Sequence, residues 1–423
     1  MAATISSLRI ALAGLSALAV AMGIGRFAFT PILPMMLHDG VVDLRQASWL
    51  ASTNYIGYLL GALLCTFDPW LRRRLRIRHP ADATLVVRLG LAATAILTLA
   101  MALPWPAIWP TLRFGAGVAS AYVLVYSSGW CLTQIAVRGA SHLGGMMFAG
   151  PGAGIVVSGL IAGAMVSSQW RASAAWVVMA LLAAMLSAAT WSVFRHDKEA
   201  VIERTGPRGP GAAKTLPTLR ADVANPAQHG AAEVTTLAVA YGLAGFGYIV
   251  TATFLPVIAR TAVPGSPLID LFWPIVGAGA VAGALLALRL SASVDRRWLL
   301  AGALVIQAVG IVLGVVLPTV LGFAIGSLLV GIPFAALSLF TLQEARRIRP
   351  YAAASTIGLV TVLYAIGQAL GPQMVAVVLR RSGGDAPEAF QRSLLIAALA
   401  LLMGATLSAL SARFWPTTAR RQA

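Results

Sequence analysis

A stretch that occurs twice decides the fold of this chain. Residues 23–34 read GIGRFAFTPILP, and residues 245–256, which lie 222 positions later, read GFGYIVTATFLP. The same ungapped shift aligns Gly57 with Gly279, and each of these glycines is followed four residues later by Gly-Ala-Leu-Leu. One shift that aligns two helix pairs, including both Gly-x-Gly and both Leu-Pro positions, indicates an internal repeat.

Each copy of the repeat lies in an apolar run, and such runs make up most of the sequence. Of the 423 residues, 59% are apolar and only 11% are charged, whereas soluble domains carry about 25% charged residues. A soluble protein with so few charges could not cover its surface, so hydrocarbon is the solvent that fits. The 41 glycines agree with this, because small residues let membrane helices approach closely.

The apolar runs predict twelve transmembrane helices, because a helix needs about 20 mainly apolar residues to cross the hydrocarbon core. The boundary between the ninth and tenth runs depends mainly on Pro318 and Gly322. The predicted helices cover residues 10–37, 46–67, 84–103, 107–136, 142–167, 171–194, 233–260, 269–290, 298–318, 319–343, 352–379 and 391–413. The predicted fold class is therefore an all-α membrane protein.

A polar segment divides the predicted helices six plus six. It begins at Arg195 and is rich in Pro, Gly and charge, a composition that predicts a linker without a packed core. The predicted domains are a six-helix bundle at 1–194, a cytoplasmic linker at 195–232 and a second six-helix bundle at 233–423. Because six helices separate the copies of the repeat, both copies point the same way, and a pseudo-twofold axis along the membrane normal relates the bundles.

The Lys and Arg residues predict the orientation, because they are enriched in the cytoplasmic loops of membrane proteins. With the N-terminus in the cytoplasm, 22 of the 31 Lys and Arg residues fall in cytoplasmic segments and 6 on the other side. Basic clusters between apolar runs are topology signals, so the net charge of +17 does not indicate nucleic-acid binding. We predict a monomer in the lipid bilayer of the bacterial inner membrane, with both termini in the cytoplasm.

Arg26 is the most informative residue for function, because it lies in the middle of the first predicted helix. A lipid-facing Arg at this depth costs about 2.5–3.5 kcal/mol, so Arg26 must face protein or a watery cavity. The spacing of a regular helix places on one face Gly23, Arg26, Thr30 and Pro34. Gly23 and Gly25 are expected to leave room beside the arginine. Arg26 is either an anchor for an anion or carboxylate, or a structural contact to backbone carbonyls, and the sequence leaves both interpretations open.

No Asp or Glu lies deep in any predicted helix, so the counter-charge of the buried arginine is expected to arrive with the substrate. Other polar and aromatic residues complete the candidate substrate site, although many of them are equally consistent with ordinary hydrogen bonds between helices. The candidates are Arg26, Asn54, Tyr58, Tyr126, Tyr248, Tyr364 and Gln368. His142, at the start of the fifth helix, has a side chain that titrates near neutral pH, but such a residue is more often merely interfacial.

Several motifs resemble those of the major facilitator superfamily of secondary transporters. Residues 113–117 in the fourth helix resemble the family's R-x-x-x-G motif, and residues 150–154 in the fifth resemble its Gly-Pro antiporter motif. The resemblance implies that Arg113 couples protons or holds a helix contact, and snorkelling to the near interface is the alternative. The residues predicted to serve coupling or gating are Arg113, His142, Gly150 and Pro151.

The first helix narrows the resemblance further. Residues 23–34 resemble the signature of a bacterial branch usually labelled YbfB/YjiJ-like, and residues 364–372 in the eleventh helix fit the same branch. The resemblance covers nearly the whole chain and implies a twelve-helix transporter. One loop departs from the superfamily pattern G-x-x-x-D-R-x-G-R-R, because Gly61 is followed four residues later by Cys65 instead of Asp.

The leading functional hypothesis is a secondary active transporter that moves a small solute across the inner membrane by alternating access, and Arg26 favours an anion or carboxylate as the solute. The sequence has no Gly-Lys dipeptide and hence no P-loop, and it has no metal-binding motif, so no cofactor or metal is expected. The alternative is a polytopic membrane enzyme acting on a lipid-linked substrate, which would need a cluster of acid, base or metal-binding residues at one membrane face. A sensor or scaffold would need neither the repeat nor the buried arginine.

Overall fold

The structure is a computed structural model that describes residues 6–74, 82–194, 230–287, 289–290, 294–349 and 353–416. Within these residues every regular element is helical, and twelve segments are long and apolar enough to cross a membrane. Spans 1 to 6 are Ser7–His38, Leu44–Asp68, Ala83–Ala100, Pro106–Val137, Leu143–Ser167 and Ala172–Trp191. Spans 7 to 12 are Gly230–Ala262, Ile269–Ala287, Arg296–Val316, Val320–Ile348, Thr356–Arg381 and Ala386–Phe414. The predicted fold class is confirmed, and most of the predicted linker lies outside the described residues.

Exposed tryptophans mark the two ends of the spans. Because the spans alternate in direction, Ser7 and Phe414 lie at the same end, here called the terminal face, and the other end is the far face. The exposed tryptophans near the terminal face are Trp70, Trp191 and Trp298, and those near the far face are Trp49, Trp105 and Trp170. Tryptophan is enriched at membrane–water boundaries, so these two belts fit a protein that crosses the bilayer between them.

The predicted boundary between the ninth and tenth helices is correct. Span 9 ends at Val316, and span 10 begins at Val320. Pro318 disfavours the helical conformation of the residue before it, which accounts for the end of span 9. Thr319 then caps span 10, because its side chain accepts a hydrogen bond at 3.2 Å from the N–H of Gly322.

Span 1 is not the regular helix that the sequence predicted. Its parts are an α-helix at Ser7–Leu18, a π-helix at Ala19–Ile24, a turn at 25–28 and an α-helix at Phe29–His38. Pro31 contributes to the break at its later end, because it offers no N–H to the carbonyl of Phe27 and its ring clashes with that carbonyl. The N–H of Thr30 bonds the Phe27 carbonyl instead, at 3.2 Å. The single face predicted from regular helical spacing is therefore wrong.

The second copy of the repeat has no such break. The position equivalent to Pro31 is Thr253, which keeps its N–H, and span 7 is one continuous α-helix at Gly230–Ala262. The copies differ at eight of these twelve positions, and the proline is one of the differences. The break puts Arg26 on irregular backbone near the middle of the membrane, where non-helical backbone is tolerated only if protein or water surrounds it.

The repeat glycines make equivalent contacts in both halves of the chain. A Cβ on Gly57 of span 2 would overlap the carbonyl oxygen of Phe114 in span 4. A Cβ on its repeat partner Gly279, in span 8, would lie 2.9 Å from the carbonyl oxygen of Leu328 in span 10. These matching close approaches agree with the predicted arrangement, in which a pseudo-twofold axis along the membrane normal relates two six-helix bundles.

The variant Gly57→Ala is expected to destabilise the first bundle, because the added methyl group overlaps a backbone oxygen that cannot rotate away. Overpacking of this kind costs about 1–3 kcal/mol, so the melting temperature in detergent should fall. Gly129→Ala in span 4 is the matched control, since nothing lies within 4 Å of the added Cβ. Equal melting temperatures for the two variants would contradict the close approach of spans 2 and 4.

The two bundles contact each other along spans 2 and 11, along spans 5 and 8, and through spans 1 and 7. Among the described residues, several hydrogen bonds cross between the bundles in the half nearer the far face, and we call four of them the far-face clasp. They join Thr30 Oγ1 to the Ala252 carbonyl at 2.6 Å, Ser52 Oγ to the Ala369 carbonyl at 2.9 Å, Gln373 Nε2 to Ser52 Oγ at 3.0 Å, and the hydroxyls of Tyr55 and Thr253 at 3.1 Å. The clasp holds the bundles together on that side.

A charged cluster at the terminal face joins four spans of the second bundle, and the sequence did not predict it. Arg297 at the start of span 9 is 1% exposed, and its guanidinium contacts Glu233 of span 7 at 2.9 Å. The same guanidinium contacts Asp295 at 2.8 Å and Glu344 of span 10 at 3.4 Å, and it donates to backbone carbonyls at the end of span 12. Arg347 pairs with both glutamates.

Asp295 lies at the edge of this cluster, outside the membrane spans. Burial works against its ionisation, but hydrogen bonds from Arg297 and the charges of Arg297 and Arg347 outweigh burial and hold the pKa of the carboxyl below its usual value. A carboxyl whose folded-state pKa is lowered stabilises the fold above its unfolded-state pKa. This contribution is therefore complete at neutral pH and is lost as the pH falls through the lowered pKa.

Candidate functional site

Arg26 projects from the broken part of span 1 into the contact between the bundles. It is 2% exposed, and its Nη2 donates a hydrogen bond at 2.9 Å to Oε1 of Gln368 in span 11. Its guanidinium lies over the ring of Tyr58 in span 2, 4.0 Å from the centroid, in a cation–π contact. The first bundle thus supplies a buried cation, and the second bundle supplies a neutral acceptor for it.

Gln368 connects Arg26 to Tyr248, which holds the equivalent position in the repeat. Nε2 of Gln368 donates a hydrogen bond to the phenol oxygen of Tyr248. Tyr364, one turn before Gln368, stacks on Tyr248 with centroids 5.9 Å apart and on Tyr241 with centroids 4.2 Å apart. The structure therefore brings together five of the predicted substrate-site residues, namely Arg26, Tyr58, Tyr248, Tyr364 and Gln368.

The positive charge of this site has no acidic partner in the described part of the chain. Among the described residues, no Asp or Glu forms an ion pair with Arg26 or Arg113. Nε of Arg26 has no hydrogen-bond partner there, and Nη1 meets the sulfur of Met22 at 3.8 Å, which is a weak acceptor. Arg26 therefore keeps donors for a further acceptor, in contrast to Arg297 and its three carboxylates.

Arg113 stabilises the break in span 1. It is 2% exposed, and its Nη1 and Nη2 donate hydrogen bonds, both at 3.1 Å, to the carbonyl oxygens of Gly25 and Arg26. The N–H of Thr30, which would bond the Arg26 carbonyl in a regular helix, bonds Phe27 instead. Freed backbone groups need partners inside a membrane, and Arg113 supplies two of them. These are the bonds of a helix contact, and a part in proton coupling stays a prediction.

Asn54 belongs to the contact between spans 2 and 4. Its Nδ2 donates a hydrogen bond at 2.8 Å to the carbonyl of Arg113, and a Cβ on Gly117 would overlap the Asn54 carbonyl oxygen. The asparagine thus holds the backbone that carries Arg113. Asn54 therefore contacts Arg113, the residue that supports the backbone at Arg26. Its bond to span 4 is an ordinary hydrogen bond between helices.

The glycines beside Arg26 do not leave room for a ligand, so that expectation is wrong. A Cβ on Gly23 would overlap the backbone of Gly154 in span 5. A Cβ on Gly25 would lie 2.8 Å from Thr94 in span 3 and 3.4 Å from Ser120 in span 4. Neighbouring helices pack against span 1 at both glycines. Space for a ligand facing Arg26 therefore has to come from the interface between the bundles.

The remaining predicted residues are Tyr126, Gly150, Pro151 and His142. Tyr126 stacks on Tyr122 with centroids 5.9 Å apart, and it lies 13 residues, or about 20 Å along the helix, from Arg113. A Cβ on Gly150 would overlap the carbonyl oxygen of Leu15, which indicates tight packing of spans 5 and 1. The others are Pro151, which is buried in the first turn of the helix Gly150–Ser167, and His142, whose side chain lies outside the described residues.

Twelve spans in two repeated bundles, with a buried polar centre between them, define a secondary transporter of small molecules. The sequence model of a family described as "Uncharacterised MFS-type transporter YbfB" matches residues 18–409. The chain belongs to this family of the major facilitator superfamily. It is a multi-pass membrane transporter of the bacterial inner-membrane type, and it is not an enzyme.

Solved structures of transporters share this fold. A nucleoside transporter, NupG, is 16% identical, with 97% of this chain and 100% of that chain covered and a TM-score of 0.67. A bacterial homologue of the human lysosomal transporter Spinster, in an inward-facing and unoccupied conformation, is 14% identical, with 96% and 97% covered and a TM-score of 0.68. A search of the curated proteins found no match. At these identities the likeness concerns the fold alone.

Proposed function

We propose that the protein transports a small organic anion, such as a carboxylate, and that Arg26 is the anchor for its negative charge. The observation that carries the proposal is the state of Arg26, which is buried between the bundles, keeps unused donors and has no acidic partner among the described residues. An isolated buried charge is costly, so an incoming anion gains both ion pairing and hydrogen bonds there. The surrounding phenol groups add neutral donors and acceptors.

We further propose that transport occurs by alternating access. The two bundles are 1–194 and 233–423, and residues 195–232 form a cytoplasmic linker between them. The far-face clasp supports this proposal, because its four hydrogen bonds close the side of the site beyond Arg26 and join one bundle to the other. Breaking the clasp lets the bundles part on that side, and a monomer contains every element that the cycle needs.

Transport assays in sealed proteoliposomes test the proposed function. Uptake of radiolabelled acetate, succinate and benzoate is measured with an imposed proton or sodium gradient. We expect at least one carboxylate to accumulate, and we expect ionophores to abolish its accumulation, because no P-loop is present to use ATP. Accumulation that requires ATP and proceeds without an ion gradient would contradict secondary transport. Transport of neutral solutes alone would contradict the anion.

The proposed orientation places the terminal face in the cytoplasm, because most Lys and Arg residues lie there. Reporter fusions at Arg74, Arg208 and Arg421 should all give cytoplasmic signals. Fusions at Asp43 and Gly384, near the far face, should give signals from the other side of the membrane. A periplasmic signal at Arg208 would contradict the division into six plus six helices.

A further inference from the structure

Gln368 occupies an acceptor position beside the charge that the proposed anion would bind. Its side chain is fully buried, and Oε1 lies 2.9 Å from Nη2 of Arg26. The orientation of the amide follows from chemistry, because an arginine can only donate and must therefore face the oxygen. The amide nitrogen then faces Tyr248, to whose phenol oxygen it donates. Gln368 is thus held at both ends in one rotamer.

The arginine atom that Gln368 contacts is one that a carboxylate needs. A carboxylate binds arginine most strongly through two parallel hydrogen bonds, which come either from Nε and Nη2 or from Nη1 and Nη2. Nη2 belongs to both pairs, with one of its two N–H groups serving each pair, and in this structure it donates one hydrogen bond to Gln368. Nε has no partner in the described part of the chain. The bond to Gln368 therefore occupies an N–H that one of the two bidentate pairs requires.

We propose that Gln368 is an internal ligand of Arg26, which the transported anion displaces. This inference rests on the proposed anion specificity. In the empty transporter, the amide oxygen partly satisfies the guanidinium and ties span 1 of one bundle to span 11 of the other. A carboxylate carries a charge and forms two bonds, so it is the stronger acceptor and takes the place of the neutral amide.

The displacement gives substrate binding a mechanical consequence. The bond between Arg26 and Gln368 crosses from one bundle to the other at the edge of the far-face clasp. When the anion breaks it, the arrangement with a closed far face loses one of its stabilising contacts. A ligand shifts a conformational equilibrium only by the difference between its binding free energies for the two states. Such a difference arises when the anion replaces Gln368 on Arg26, because the state with a closed far face then loses a contact.

The variant Gln368→Ala distinguishes an internal ligand from an ordinary substrate contact by the sign of its effect. Because the competing oxygen is gone, we expect benzoate to bind the purified variant at least threefold more tightly than the wild type. An ordinary substrate contact predicts weaker binding. Gln368→Glu places a permanent carboxylate beside Arg26 and should abolish benzoate binding. Gln307→Ala is the control, because Gln307 is equally buried and bonds the Val330 carbonyl within the second bundle.

A second measurement needs no substrate. Spin labels at Val137 and Phe414, which are exposed at the terminal face on different bundles, report the distance between the bundles in a background with Cys65 and Cys131 replaced by serine. In Gln368→Ala, a second population of distances should appear without any carboxylate. Wild type and Gln307→Ala should keep a single population under the same conditions.

The two measurements separate failure of this inference from failure of the proposed function. Unchanged distances together with weaker benzoate binding in Gln368→Ala would overturn the internal-ligand role while leaving the anion site in place. Shifted distances without binding of benzoate, acetate or succinate to any variant would refute the carboxylate and hence its displacement of Gln368. Tighter benzoate binding and shifted distances in Gln368→Ala, but not in Gln307→Ala, would support the inference.

Discussion

Replacing Arg297 by methionine is expected to cost about 3–5 kcal/mol of stability, because the change leaves buried carboxylates without their main partner. Glu233 and Glu344 are both almost fully buried, and Asp295 bonds the same guanidinium. Arg347 remains, but one cation cannot neutralise three acids. Methionine keeps much of the volume of arginine, so the effect reports charge more than packing. Thermal unfolding in detergent, followed by tryptophan fluorescence, measures the loss.

An exposed ion pair supplies the matched control. Arg392 pairs with Glu388 at 2.5 Å, but more than half of the Arg392 side chain is exposed, and pairs of this kind contribute about 0–1 kcal/mol. Arg392→Met should therefore unfold close to the wild-type temperature. Neutralising the acids in the triple variant Arg297→Met, Glu233→Gln and Glu344→Gln should recover part of the loss. Equal melting temperatures for Arg297→Met and Arg392→Met would refute the role of the cluster.

The sequence could not have predicted this cluster, although every member was visible in it. Each charged residue lies near the end of an apolar run, where Lys and Arg ordinarily mark topology and Glu is unremarkable. The cluster exists because the ends of spans 7, 9, 10 and 12 meet, and that meeting is a property of helix packing. A charge count along the chain contains no information about which helix ends are neighbours.

The architecture, in contrast to the charged cluster, could be predicted from the sequence. Twenty apolar residues in a row have few alternatives to a transmembrane helix, and an ungapped repeat specifies that both halves use the same packing. The glycine positions were informative too, because Gly57 and Gly279 mark points where helices approach closely. Such local signals are sufficient to predict the number of spans and the repeated arrangement of the two bundles.

The site was predicted in part, and the errors have a local cause. Depth and charge singled out Arg26, and the repeat singled out Tyr248, but neither gave the geometry between them. The regular helical spacing assumed for span 1 fails between Ala19 and residue 28, and Gly23 and Gly25 pack against neighbouring helices. The described bonds of Arg113 support the break in span 1, and its part in proton coupling stays a prediction.

The substitutions Arg26→Lys and Arg113→Lys are expected to fail in opposite ways, although both residues are equally buried and lie side by side. Lysine keeps the charge but loses the planar fork that matches carboxylates and paired acceptors. At position 113 the fork bonds two backbone carbonyls, so Arg113→Lys should lower the melting temperature of the ligand-free protein. At position 26 the described contacts are one hydrogen bond to Gln368, a weak one to Met22 and a cation–π contact, which an ammonium group can also make, so Arg26→Lys should fold and melt nearly as the wild type.

The effect of Arg26→Lys should appear when an anion is added. Without a bidentate contact, benzoate should bind at least tenfold more weakly, or by about 1.4 kcal/mol, and uptake should fall in parallel. Calorimetry and melting curves on the same preparation give both quantities. If Arg26→Lys were as unstable without ligand as Arg113→Lys and bound benzoate with unchanged affinity, the arginine would be a structural contact. A stable protein with a weakened site is the outcome that the unpartnered Nε of Arg26 predicts, because a donor without an acceptor adds nothing to the stability of the empty fold.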